Sequence, residues 1–130
     1  MKMKKKILII GRGDEIGGGS EYIIQLLKLL KMHFDVEIHM TYSNQNVREY
    51  YLSKIGFVNF HKIKIVRPIS PGMDFLSLLN LIKLIKTEKY DIVDTNSSKG
   101  GVVGRLAAKI CNVPLIIHTV HGFSFHEYSN

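Results

Sequence analysis

The 130-residue sequence has a single cysteine, Cys111. That excludes an intramolecular disulfide framework and a zinc site built from cysteines, and it fits a reducing compartment. No apolar run approaches the roughly 20 residues that span a bilayer. The greasiest segments, Tyr22–Met32 and Phe75–Ile85, are broken by polar residues at every third position. The apolar run Ile7–Ile10 behind the basic Met1–Lys6 is too short for the core of a secretion signal. There is no internal repeat, low-complexity segment or linker. Acidic residues are few, 11 against 18 Lys and Arg, for a formal charge of +7. Such a balance suits an anionic partner or serves solubility alone. Nucleic-acid binding is not expected, because the lysines are spread along the chain without a set of stacking aromatics.

What is present is ordinary globular composition, 45% apolar and 22% charged, with length enough for one domain over residues 1–130. The patterning alternates. Lys5–Ile10 ends in an unbroken apolar run of Ile and Leu, which suits a buried central strand. Glu21–Met32 has a narrow polar stripe at Gln25, Lys28 and Lys31, as in a helix packed on a sheet, with Ser20 in place to cap it. Val36–Tyr42 predicts a second strand and Asn44–Ile55 a helix stopped by Gly56. His61–Val66 predicts an edge strand, Pro68–Gly72 a loop and Phe75–Lys86 a third helix. Asp91–Asn96 predicts a strand, Ser98–Cys111 a glycine- and alanine-rich helix, and Leu115–Val120 a fifth strand after the turn Asn112–Pro114. Five strands alternating with four helices predict an α/β, Rossmann-like three-layer sandwich. Its parallel sheet would have the order 3-2-1-4-5, with helices on both faces. No helix follows to cover the fifth strand, so the domain reads as cut short there.

In such a sheet ligands bind beyond the carboxyl ends of the strands, at the switch point between strands one and four. Three loops converge there. The first carries Gly17, Gly18 and Gly19 ahead of a helix, where backbone can approach a ligand closely and free amides suit a phosphate. The second carries Asn96, Ser97 and Ser98, suited to sugar hydroxyls, with Ser98 also placed as a helix cap, and Lys99, suited to a phosphate. The third carries His121 where the fifth strand ends, an address for neutral-pH chemistry. His118 lies inside that strand and reads as a structural histidine.

Several standard motifs are absent. Gly13–Gly18 has P-loop spacing, but Gly19 stands where Lys is required. Gly11 and Gly13 open a dinucleotide fingerprint that fails at Ile16, and Thr41, Tyr42 and Ser43 stand where a ribose-binding acid belongs. A nucleophile elbow fails at His126. A metal site from His118, His121 and His126 is not expected, because no carboxylate spacing supports it.

The last third of the chain resembles the N-terminal domain of retaining, GT-B-fold glycosyltransferases of family four, the glycosyltransferase 4-like group. Asp91–Gly101 reads D-I-V-D-T-N-S-S-K-G-G, followed by G-R-L-A-A, N-V-P and H-T-V-H-G-F-S-F-H-E. The Gly17–Glu21 run resembles the same family's first loop. The resemblance implies sugar transfer from a nucleotide-sugar donor, with retention and without metal or other cofactor. The acceptor would be lipid-linked or a polysaccharide, in capsular or other surface-polysaccharide synthesis. It implies that Gly17, Gly18 and Gly19 approach the donor diphosphate and that His121 lies beside the donor sugar as the catalytic residue. Glu21, Asn96, Ser98 and Lys99 would shape the acceptor side. Asp94 and Asn96 replace two histidines of the family pattern, which alters any acceptor contact made there. The family's second, nucleotide-sugar-binding domain is absent, so the isolated chain is expected to be inactive until that domain joins it in cis or as a separate chain. A cytoplasmic location, peripheral at an anionic inner membrane face, is expected. The rival readings are a nucleotide-dependent oxidoreductase domain and a non-catalytic subunit that docks a partner or membrane.

Overall fold

The computed structural model describes residues 4–11, 18–65, 70–96 and 98–119, with the side chains at 18–20 and 98–100 outside the description. The elements are β1 (Lys5–Ile10), α1 (Gly18–His33), β2 (Val36–Tyr42), α2 (Gln45–Lys54), β3 (Asn59–Lys62), α3 (Pro71–Glu88), β4 (Ile92–Thr95), α4 (Ser98–Ile110) and β5 (Leu115–His118). The five strands form one parallel sheet in the order β3-β2-β1-β4-β5. The predicted fold class and strand order are therefore those of the structure.

Right-handed crossovers explain the layers. The chain first steps from β1 outward to β3, which places α1 and α2 on one face. There Ile7, Ile9, Ile38 and Met40 meet Ile24, Leu27, Val47 and Tyr51. It then crosses back to β4 and steps outward to β5, which places α3 and α4 on the other face. There Leu8, Ile10 and Val93 meet Leu81, Ile85, Val103 and Ala107. β1 is thus covered on both sides, and this is why its apolar run is unbroken. Burying each of its large side chains contributes about 1.5–3 kcal/mol. On the α1–α2 face, no helix among the described residues lies over β5, and Leu115 and Ile117 are exposed there.

Several boundaries differ from expectation. α1 begins at Gly18, so Ser20 lies inside its first turn and is not its cap. α3 begins at Pro71 with Ser70 as N-cap, because proline is pre-shaped for a first turn. β3 runs over Asn59–Lys62 instead of His61–Val66. Past Lys62 the Ser43 hydroxyl replaces the ladder, donating to the Ile63 carbonyl and accepting from the Ile65 amide at 3.0 Å each. Ser98 is the first residue of α4, which removes it from the N-cap position. Lys89 and Asn112, at φ 61° and 57°, close α3 and the turn after α4 in the left-handed region.

Candidate functional site at the carboxyl ends of the strands

The switch point lies between β1 and β4. The Asn96 amide donates to the Ile10 carbonyl at 2.8 Å, joining the ends of these two strands, and the Thr119 amide donates to Thr95 at 2.8 Å, joining β4 to the end of β5. α1 starts just beyond β1 on one face, and α4 just beyond β4 on the other. The first four amides of each helix have no acceptor within it. Gly18, Gly19, Ser20 and Glu21 supply them in α1, and Ser98, Lys99, Gly100 and Gly101 in α4. Two positive helix ends therefore flank one crevice, an arrangement that favours an anionic group.

Side chains hold the crevice floor. Asp94 is buried, and its Oδ1 accepts from the Thr119 hydroxyl at 2.9 Å. Thr95 is fully buried, with Oγ1 2.7 Å from Nδ1 of His118. α4 approaches closely because glycines face the sheet. A Cβ on Gly104 would lie 2.8 Å from Thr95 Cγ2 and 3.0 Å from Ile10 Cδ1, and one on Gly101 would lie 2.6 Å from His118 Cε1. These two glycines carry the close packing, a role that the sequence reading did not assign them.

Of the expected site residues, Gly18, Gly19, Ser98 and Lys99 open the two helices at the crevice. Asn96 sits half-buried between the strand ends, its Nδ2 3.4 Å from the Asp94 carbonyl. Glu21 is exposed in the first turn of α1, with Oε2 accepting from Gln25 at 3.1 Å. Gly17 and His121 lie outside the described residues, as do Ser97 and His126. At the end of β2, Thr41 is buried and Ser43 is committed to the β3 segment. No carboxylate stands there for a ribose.

A second polar group was not foreseen. Glu37 and His39 on β2, His61 on β3, Lys6 on β1, Glu88 of α3 and Tyr90 meet beneath α3. His39 is 3% exposed. Its Nε2 lies 2.7 Å from Glu37 Oε2, and its Nδ1 lies 2.7 Å from His61 Nε2 and 2.8 Å from Tyr90 Oη. The hydrogen bond from His39 holds the Glu37 carboxyl below its ordinary range. Lys6 does the same for Glu88, at 2.8 Å. Burial, aided by His39, lowers the pKa of His61, and burial raises that of Tyr90. Glu37, His39 and Glu88 have the spacing of three metal ligands, with ligand atoms within 4.8 Å of one another. The Lys6 ammonium, 2.8 Å from Glu88 and 3.9 Å from Glu37, is the cation they share. The alternation of Glu37, His39 and Thr41 within β2 was the one available signal, since a strand buried on both faces rarely carries it.

A parallel doubly wound sheet with two helix ends at its switch point defines a Rossmann-like α/β domain. The chain belongs to the glycosyl transferase 4-like family, whose model matches residues 6–130. It is 56% identical over 63 residues to the Escherichia coli UDP-Gal:alpha-D-GlcNAc-diphosphoundecaprenol alpha-1,3-galactosyltransferase, a match covering 48% of this chain and 16% of that protein. Its fold is similar to that of Acinetobacter baumannii MurG, with TM-score 0.69 and 17% identity over 88% of this chain and 35% of MurG. It is also similar to a UDP-N-acetylglucosamine 2-epimerase, with TM-score 0.69 and 20% identity over 92% of this chain and 32% of the epimerase. The chain thus spans a minor part of each of these proteins.

Proposed function

We propose that this chain is the acceptor-side domain of a retaining glycosyltransferase that moves a sugar from a nucleotide-sugar onto a lipid-diphosphate-linked acceptor in surface-polysaccharide synthesis. The family match across residues 6–130 carries the reading. The galactosyltransferase relative supports a uridine-diphosphate donor and a polyprenol-diphosphate acceptor. A second, nucleotide-sugar-binding domain, in cis or as a separate chain, completes the site, and the 130 residues alone are inactive.

In this reading Gly17, Gly18 and Gly19 present amides to the donor diphosphate. Glu21, Asn96, Ser98 and Lys99 shape the acceptor side, and His121 stands beside the donor sugar. No metal is expected, because the positive end of a helix faces the leaving diphosphate. The work is positioning and electrostatic stabilisation of a developing sugar cation. The domain works at the cytoplasmic face of the membrane and touches it peripherally; no helix among the described residues is long and apolar enough to cross it.

Residue-resolved NMR titration tests the reading. UDP and UDP-galactose are expected to shift Gly18–Glu21 and Ser98–Gly101 weakly and selectively, with GDP weaker. Tight NAD binding overturns it in favour of an oxidoreductase domain. Sugar transfer by this chain alone overturns the requirement for a second domain.

A further inference from the structure

β5 is a four-residue strand at the edge of the sheet, paired with β4. The end of so short an edge frays readily unless something holds it. Here side chains of β4 hold it from both faces. Side chains alternate along a strand. Ile92 and Asp94 therefore lie on the α1–α2 face, where Ile92 packs against the core. Val93 and Thr95 lie on the α3–α4 face, where Val93 does the same.

On the first face the Thr119 hydroxyl donates to Asp94 Oδ1 at 2.9 Å. On the second, Thr95 Oγ1 lies 2.7 Å from Nδ1 of His118. Between them the Thr119 amide donates to the Thr95 carbonyl, which carries the ladder one residue past the strand. Asp94 is the costly member of this arrangement. It is 7% exposed, and a carboxylate so placed has lost most of its hydration, which only well-placed donors offset. Its hydrogen bond is also of the stronger, charge-assisted kind. The buried carboxylate therefore dictates where the Thr119 hydroxyl must lie.

Fixing Thr119 fixes the point at which the chain leaves the sheet. His121 follows two residues on, and two residues of extended chain span at most about 7 Å. The bond to Asp94 thus confines His121 to that radius at the carboxyl end of β5, beside the crevice. We propose that Asp94 is a positioning residue for His121: it latches Thr119 and so sets the point from which the imidazole reaches the donor sugar. The latch stands on the contacts above; its use in sugar transfer rests on the proposed function.

Paired substitutions in the 130-residue chain test it. Thr119→Val and Asp94→Leu remove the donor and the acceptor, whereas Thr119→Ser and Asp94→Asn keep them. Corrected for intrinsic rates, amide hydrogen exchange at residue 119 is expected to be about tenfold faster in the first pair and unchanged in the second. The amides of Ile7 and Ile38 report whether the sheet is intact. Thr119→Val alters a half-buried residue beyond the strand, so it decides the matter should Asp94→Leu fail to fold. By NMR, UDP-galactose is expected to shift the His121 ring protons in the wild type, Thr119→Ser and Asp94→Asn. That response is expected to be lost in Thr119→Val and Asp94→Leu, while the shifts at Gly18–Glu21 persist in every chain. A general loss of structure would not produce this split. Unchanged exchange at residue 119 in Thr119→Val, or a His121 response that survives the substitution, overturns the proposal and leaves the transfer reading in place. Equal damage from Thr119→Ser overturns it too, because the hydrogen bond is then not what holds the chain. UDP-galactose shifts at none of these residues in the wild type overturn the transfer reading, and the role given to Asp94 falls with it.

Discussion

The imidazole of His118 fills the space that a side chain on Gly101 would need: a Cβ there would lie 2.6 Å from Cε1 of the ring. One residue is the last of β5 and the other is in the first turn of α4. Their contact therefore sets how closely α4 approaches the edge of the sheet. Gly101→Ala is expected to cost about 1–3 kcal/mol by overpacking. His118→Ala in the same chain is expected to recover at least half of that loss, since the obstruction is one movable ring. Urea unfolding of the two single variants and the double variant measures the coupling; additive losses would show that the contact is not what restrains Gly101.

Gly104→Ala is expected to be the harsher change. Its Cβ would meet Thr95 Cγ2 and Ile10 Cδ1, both from fully buried residues, and neither can swing aside. A loss of about 2–3 kcal/mol is expected, with NMR shifts at the carboxyl ends of β1 and β4. A variant as stable as wild type would mean that α4 lies farther from the sheet.

The polar group under α3 makes stability depend on pH in two windows. Burial keeps His61 below its ordinary 6.5 when folded, so the unfolded chain takes up the proton first and stability declines as pH falls through 6.5. Glu37 and Glu88 are held below their ordinary 4.5 when folded. Their contribution is present above 4.5 and is lost as pH falls further. Melting temperature followed from pH 8 to pH 3 is expected to show both declines. His61→Asn is expected to flatten the upper one alone, and Glu88→Gln to reduce the lower one alone.

Thr41 Oγ1 is buried with no hydrogen-bond partner among the described residues. Thr41→Val, of nearly the same shape, removes that unmet hydroxyl. It is expected to leave stability unchanged or to raise it by up to about 1 kcal/mol. Thermal unfolding decides it, and a loss above that size would mean that the hydroxyl has a partner in solution.

Much of the fold was legible because each signal was local. The unbroken apolar run Ile7–Ile10 could only be a central strand, and the polar stripe of α1 could only face away from a sheet. Turn residues such as Gly56 and Asn112 marked the breaks. What escaped were features set by distant partners. The end of β3 depends on Ser43, 20 residues before Ile63. The start of α3 depends on a proline that reads equally well as loop. The Lys6–Glu88 pair spans 82 residues, and no window of sequence reveals it. At the crevice, the helix starts could be placed from glycine and serine runs. The burial of Asp94, its bond to Thr119 and the ring against Gly101 required the fold. His121 and Gly17, the residues most prominent in the sequence, lie outside the described residues.

The order of the sheet also sets a schedule for synthesis. β1 can pair with β2 only once that strand has left the ribosome, but its other edge belongs to β4, and Lys6 awaits Glu88 and Asp91. At translation rates of roughly 5–20 residues per second, the edge stays open for roughly 3–10 s after β2 has emerged. Throughout that interval the nascent chain offers an unpaired Ile-Leu-Ile-Ile strand edge to its neighbours. The strand that anchors the finished domain is therefore its main aggregation hazard during birth, and the segment that ends the hazard is β4.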